Sequence, residues 1–189
     1  VKSLGIDPIN GREVFVKKDG SLSYTWDTND QIVAGDSEAK LTGNIGAVME
    51  YMGLSLNLSF TFRYGGQTYN STLLNKIENV DVASVNVDKR VLYDRWNTPG
   101  VAAKYKDIAN RSNTYPTTRF VEDLDEFVFS AISVGYDFSE LSFVKRSPID
   151  RLRLSFNMND IGRISTVKQE RGTEYPFART FSFSLSASF

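Results

Sequence analysis

Residues 179–189 read RTFSFSLSASF. Phe181, Phe183, Leu185, Ala187 and Phe189 fall on one parity, and Ser182, Ser184, Ser186 and Ser188 on the other. A period of two marks a strand with one apolar and one polar face. A strand that crosses a membrane within a barrel needs about 9–11 residues, and this stretch has that length. Large apolar side chains suit lipid, and small hydroxyl side chains suit a wet lumen. A soluble sheet could end in such a strand too, so recurrence of the pattern decides between them.

The pattern recurs upstream. Leu41, Gly43, Ile45, Ala47, Met49 and Tyr51 alternate with residues that include Thr42, Asn44 and Glu50. Met52-Gly53 predicts a tight reversal. Leu54, Leu56, Leu58, Phe60, Phe62 and Tyr64 then alternate with Ser55, Asn57, Ser59, Thr61 and Arg63. Tyr51 and Tyr64 sit at opposite ends of this hairpin, where a lipid–water girdle needs aromatics. Val128, Ile132, Val134, Tyr136 and Phe138 share a parity in the next strand, with Phe127 and Phe129 on the other face. Leu152, Leu154, Phe156 and Met158 alternate with Arg151, Arg153, Ser155 and Asn157. Five strands emerge, joined by short, long, medium and long connections. Such asymmetry is that of short periplasmic turns and long external loops.

Composition narrows the function classes. Lys plus Arg is 22 and Asp plus Glu 23, which gives no argument for nucleic acid. Cysteine is absent, so disulfides and thiolate metal sites are excluded. Histidine is absent as well, which removes Ser-His-Asp and Cys-His catalysis and imidazole metal sites. No apolar run approaches the ~18 residues of a membrane helix. Barrel strands escape that test because every second residue faces the lumen.

The connections have local signals of their own. Asp19-Gly20, between the runs Arg12 to Lys17 and Ser21 to Trp26, is a strong hairpin signal. The acidic exit Asp27, Asn29, Asp30, Gly35 and Asp36 reads as Asx-turn chemistry rather than a calcium site, which needs six or more convergent oxygens. Thr72 to Val80 has a helical look. Asn86 is a candidate cap for a helix running to Trp96, with Val91, Leu92, Arg95 and Trp96 on one face. Glu122, Asp123, Asp125 and Glu126 form a carboxylate run without an identifiable catalytic partner, so no enzyme is expected. Tyr24, Trp26 and Tyr69 are candidate ligand-contacting loop aromatics, with packing inside the loops as the alternative. Tyr93 and Trp96 are expected to pack within their own loop. Arg63, Arg151 and Arg153 lie on the lumen parity, and a buried charge needs a partner.

Five segments taken together resemble a known family: GIDPINGREVF (5–15), LSLNLSFTFRYGGQTYN (54–70), RFVEDLDEFVFSAISVGYDF (119–138), RLRLSFNMNDI (151–161) and VKQERGTEYPFARTFSFSLSASF (167–189). They are similar to the C-terminal barrel portion of SusC/RagA-type TonB-dependent outer-membrane transporters. The resemblance implies an all-β fold: an antiparallel up-and-down transmembrane β-barrel segment, about five strands of a barrel of roughly 22. It implies an external loop over 1–38, a hairpin over 39–64, an external loop with a short helix over 65–125, a hairpin over 126–158, an external loop over 159–178 and a closing strand over 179–189. The plug and TonB box of the full pattern are missing from this sequence, and it begins at Val1 without an export signal, so a fragment or processed product is expected.

The implied function is nutrient uptake: import of glycans or peptides across the outer membrane of a Gram-negative bacterium, without a cofactor. Implied partners are a SusD-like surface lipoprotein, TonB through the missing N-terminal region, the barrel-assembly machinery, an oligosaccharide or peptide substrate, and outer-membrane lipid. Phe181, Phe183, Leu185 and Phe189 resemble the strand signal that the assembly machinery reads. The competing readings are a small outer-membrane or surface β-protein acting as a binding or structural module, and a soluble β-rich hydrolase.

Overall fold

The computed structural model describes residues 1–168 and 179–189. Half of the loop expected over 159–178, residues 169–178, therefore lies outside the described residues. The chain divides into two compact units, one of residues 1–37 and 67–122, the other of residues 38–66 and 123–189.

The second unit is a five-stranded antiparallel sheet built on the alternating runs. Its strands are β4 (Leu41–Tyr51), β5 (Leu54–Tyr69), β6 (Val121–Asp137), β7 (Arg151–Ser165) and β8 (Phe181–Ser188), hydrogen-bonded in that order. The ends of β5 and β6, Gln67 to Tyr69 and Val121 to Glu122, belong to the first unit. Among the described residues the sheet does not close on itself. At the β4–β5 reversal Met52 and Gly53 both have positive φ, 45° and 84°. Positive φ at both central residues is the two-residue hairpin geometry that matches strand twist. A side chain at Gly53 would also strike the Asp137 carbonyl at 2.8 Å.

Register sorts the side chains by face. Ile45 pairs with Phe60, Ala47 with Leu58 and Met49 with Leu56, while Asn44 pairs with Thr61 and Val48 with Asn57. Phe156 pairs with Phe183 and Leu154 with Leu185, while Ser155 pairs with Ser184 and Arg153 with Ser186. Arg153 donates to the Ser55 hydroxyl (3.0 Å), and Ser55 donates to the Gly135 carbonyl (3.3 Å), which fixes these three on the polar face.

One expectation about β6 is corrected. Phe127 and Phe129 do not lie opposite Ile132, Val134 and Tyr136. Pairing with β7 shifts register between Phe129 and Ala131, across from Asp160, whose φ is +53°. Phe127 and Phe129 consequently stack on Phe60, at centroid distances of 5.6 and 4.7 Å. Ser130 turns to the polar face and donates to Thr61 (3.2 Å). A bulge of this kind re-aims side chains without ending the ladder.

Strands also outrun their apolar alternation. β5 passes through Gly65 and Gly66, which the sequence suggested as its end, and β6 starts before Glu126. The backbone ladder needs no apolar residue once polar partners are at hand. The Gly65 N–H donates to Asp125 Oδ1 (2.8 Å), and the Thr166 N–H to the Asp125 carbonyl (3.0 Å).

The first unit holds a small three-stranded sheet, β1 (Lys2–Ile6), β2 (Glu13–Val16) and β3 (Leu22–Ser23), in that order. The Asp19-Gly20 hairpin forms: Phe15 pairs with Ser23 and Val16 with Leu22. β1 lies within the span expected to be an external loop. The core is Leu73, Leu74, Ile77, Val91, Tyr105 and Phe120, with Val80 packed against it. Three of these come from a single π-helical stretch, Leu73–Glu78, inside the span that looked helical.

The helix expected from Asn86 to Trp96 is absent. Residues Lys89–Leu92 make one 3₁₀ turn, capped by Asp88, whose carboxylate accepts from the Arg90 N–H. Val91 is fully buried, but Leu92 and Tyr93 are 71% and 59% exposed, so the shared face does not form and Tyr93 is not packed. Asp94, at φ +56°, stops the helical course. Arg95 then donates to the carbonyls of Val91 (2.7 Å), Lys106 (3.0 Å) and Ile77, and the Trp96 N–H donates to the Tyr105 carbonyl. Tertiary hydrogen bonds outweigh a helix propensity worth only tenths of a kcal/mol per residue. Trp96 packs its ring on Gly11, where φ is +70° and a Cβ would sit 2.5 Å from the indole.

Replacing Ile77 with Ala should destabilise the first unit by about 2–5 kcal/mol, the usual range for emptying a filled apolar site. Denaturant unfolding followed by tryptophan emission, which Trp26 and Trp96 both report from this unit, measures it.

Candidate functional site

The first unit carries its chemistry around Arg119. Nε and Nη2 clamp the Glu13 carboxylate at 3.2 and 2.9 Å, and Nη2 also reaches Glu78 Oε1 at 2.7 Å. Nη1 donates to the Lys104 carbonyl at 2.6 Å. The Arg119 and Glu13 side chains are each 8% exposed, and that of Glu78 is fully buried. β2 supplies Glu13 and the π-helical stretch supplies Glu78, so one guanidinium ties together segments far apart in sequence. A fork of rigid donors suits that role, which lysine could not fill. Burial alone would pull the guanidinium down, but Glu13 and Glu78 hold it above its ordinary value. Lys106 is buried beside them and donates to Asn79 Oδ1 (3.4 Å) and to the Ser112 carbonyl. Burial lowers its pKa, opposed by the Glu78 charge. Glu78 Oε2 is buried with no hydrogen-bond partner.

Above this network opens a cleft of about 290 Å³ whose lining includes Glu13, Tyr24, Trp26, Glu78, Lys106 and Tyr115. Trp26 and Tyr115 stack at 4.7 Å with an interplanar angle of 25°. The Trp26 indole N–H donates to the Pro116 carbonyl (3.3 Å). The Arg12 guanidinium lies 4.8 Å from the Tyr24 ring centroid. The Tyr24 hydroxyl donates to Asp7 Oδ2 (2.5 Å) and, with the Ile9 N–H, holds that carboxyl below its usual range.

Of the three aromatics singled out from sequence, Tyr24 and Trp26 thus line one cleft. Tyr69 is not among its lining residues; it packs edge-on against Phe120 at 6.3 Å. The charged floor went unread, because Glu13, Glu78, Lys106 and Arg119 are spread along the sequence with no motif spacing. The carboxylate run is dispersed too. Glu122 accepts from Asn70 (2.7 Å), Asp125 from Gly65, and Glu126 pairs with Arg163 at 3.0 Å.

In the sheet unit, Phe181, Phe183, Leu185 and Phe189 are 64%, 66%, 70% and 81% exposed. Arg151 pairs with Asp137 at 3.0 Å, across neighbouring strands.

The sequence matches no family model and no curated protein. Solved structures do resemble the fold. A structure of the RagAB peptide importer in the open-open state superposes with a TM-score of 0.71 at 15% identity, over 89% of this chain and 19% of that one. The closed-closed state gives 0.66 at 15% identity, over 88% and 19%. A further structure of the RagAB peptide transporter gives 0.70 at 14% identity, over 88% and 18%. The chain spans under a fifth of the length of these neighbours. At such identity the likeness is one of fold.

Arg119→Met should cost about 3–5 kcal/mol, since it leaves two buried carboxylates without their cation. The thermal transition of the first unit, followed by tryptophan emission, should fall well below that of Arg12→Met, whose guanidinium lies at the rim.

Proposed function

We propose that the chain is the C-terminal barrel-wall portion of a TonB-dependent outer-membrane importer. One observation carries this reading: the large apolar side chains of all five strands gather on one sheet face and stay open. Ile45, Met49, Tyr64, Phe127, Leu154, Phe183 and Leu185 are each more than a third exposed there. The other face is polar and bonded to itself through Ser55, Arg153, Thr61 and Ser130. A soluble sheet would cover such an apolar face with a second layer. Lipid covers it without one. Fold likeness to peptide-importer structures supports the same reading.

On this reading the outer membrane of a Gram-negative bacterium is the location, and the chain performs no catalysis. β4 and β8 present open edges that continue into the rest of the barrel. The segments of 1–38 and 65–125 face outward, where a SusD-like lipoprotein and an oligosaccharide or peptide would be met. TonB acts through a region outside this chain.

Lipid exposure is tested by solubility. Without detergent the purified chain should associate through its apolar face; in detergent it should be monodisperse by light scattering. A monodisperse, cooperatively folding chain in plain buffer would sink the barrel assignment.

The closing strand also has an assembly role on this reading. An open edge templates onto another edge, and a terminal aromatic anchors it at the interface. Deleting Phe189 in the full-length parent should lower the yield of heat-modifiable, protease-resistant barrel in outer-membrane fractions. Ser186→Thr, a polar-face change that keeps β propensity, should leave it unchanged. Wild-type yield without Phe189, at equal expression, would reduce that residue to an ordinary interfacial aromatic.

A further inference from the structure

Arg151 and Arg153 lie on the polar parity of β7, where a charge needs a partner. Arg151 has one. Its Nε donates to Asp137 Oδ2 (3.0 Å), and Asp137 Oδ1 accepts from the Ser139 N–H (3.0 Å) and from the Ser139 hydroxyl. That carboxylate is thereby committed. Arg153 is half-buried and, among the described residues, makes no ion pair; its hydrogen bond goes to the Ser55 hydroxyl (3.0 Å).

The position of Arg153 is built by its neighbours. Its side chain crosses β6 at Gly135 to reach Ser55 on β5. A Cβ on Gly135 would lie 2.7 Å from Ser55 Oγ and 3.1 Å from Arg153 Nη2, so the path is open only because that residue has no side chain. Ser55 is itself anchored, donating to the Gly135 carbonyl (3.3 Å). One hydrogen bond thus holds a guanidinium that carries several donors in a rigid fork. Arg153 and Arg151 both line a pocket of about 360 Å³ at the Met52-Gly53 end of the sheet. Glu50 lines it too, exposed on the edge strand β4 and making no ion pair with Arg153. In β8, Ser186 stands opposite Arg153 and Ser188 opposite Arg151, which sets hydroxyl donors beside the two cations.

The other guanidiniums of this kind have a carboxylate in contact: Arg151 has Asp137, Arg163 has Glu126 and Arg119 has Glu13. Arg153 instead presents held donors to a pocket. A guanidinium fork matches the oxygens of a carboxylate or a phosphate. A cationic ligand would face both guanidiniums, and a neutral one would leave the charge of Arg153 unmet.

We infer that Arg153, with Arg151 beside it, forms a binding site for a small oxyanion, a phosphate or a carboxylate, on the polar face of the sheet. The inference stands on the geometry of the sheet and takes from the importer reading only that this face is wet.

Isothermal titration of the intact chain in detergent micelles tests it, with ionic strength held constant by sodium chloride. The probes are inorganic phosphate and succinate. At least one should bind saturably, and which of them does so tells a phosphate site from a carboxylate site. Arg153→Gln should weaken binding about tenfold, as loss of a charge-assisted hydrogen bond does. Gly135→Ala keeps every charge but blocks the path to Ser55, so it should weaken binding as well, which loss of unspecific attraction would not explain. Arg146→Gln, exposed and outside the lining, removes a charge and should change nothing. Near-ultraviolet circular dichroism confirms that each variant folds. If Arg153→Gln does not, Arg153→Lys, which keeps the charge and loses the fork, and Gly135→Ala decide. Affinity indifferent to the substitutions at Arg153 and Gly135 would mean an adventitious ion only and would overturn the inference, as would no saturable heat from either anion at millimolar concentration. A chain that is monodisperse without detergent and still binds the anion through Arg153 would remove the importer reading and leave this one intact.

Discussion

Backbone pairing in register is the constraint on which the sheet unit depends. Side chains alternate across a strand, so a slip of one residue exchanges its two faces. Eleven consecutive pairs between β4 and β5 and eight between β7 and β8 hold that register. The large apolar side chains then gather on one surface, with Val48, paired with Asn57, an exception. The shift between Phe129 and Ala131 belongs to the same logic. Without it Phe127 and Phe129 would enter the polar face beside Thr61; with it they stack on Phe60 and Ser130 takes that place.

The first unit is held differently. Its apolar core is small, and a buried ionic cluster completes it. Arg119 draws β2 and the π-helical stretch together through Glu13 and Glu78. Buried ion pairs contribute little net stability against well-packed apolar side chains. What they supply is position. Glu13, Glu78 and Lys106 come to the floor of one cleft, under the wall formed by Trp26 and Tyr115. Scaffold and site share the same side chains, so a change that loosens the core also reshapes the cleft.

Two kinds of surface thus occur in one chain. One is flat, apolar and repetitive, and suits a solvent such as lipid, which asks for no particular partner. The other is concave, with both signs of charge in its lining. Eight aromatic and charged groups of the first unit line the second surface, while the sheet's aromatics lie on the first.

Period-two alternation was enough, by sequence alone, to place all five sheet strands and the apolar parity within four of them. It also located the Met52-Gly53 reversal and the Asp19-Gly20 hairpin, because strand faces and tight turns are local properties. It failed where nonlocal contacts prevailed. The register shift in β6 is decided by pairing with β7, and no single strand records it. The polar extensions of β5 and β6 are ladders closed by Asp125 and Thr166, invisible to any apolar pattern. The helix expected near Val91 gave way to Arg95 and its carbonyl partners. Tyr24 and Trp26 were legible as exposed aromatics, but their cleft was not. Glu13, Glu78, Lys106 and Arg119 are separated by up to 106 positions, and only the folded chain brings them together.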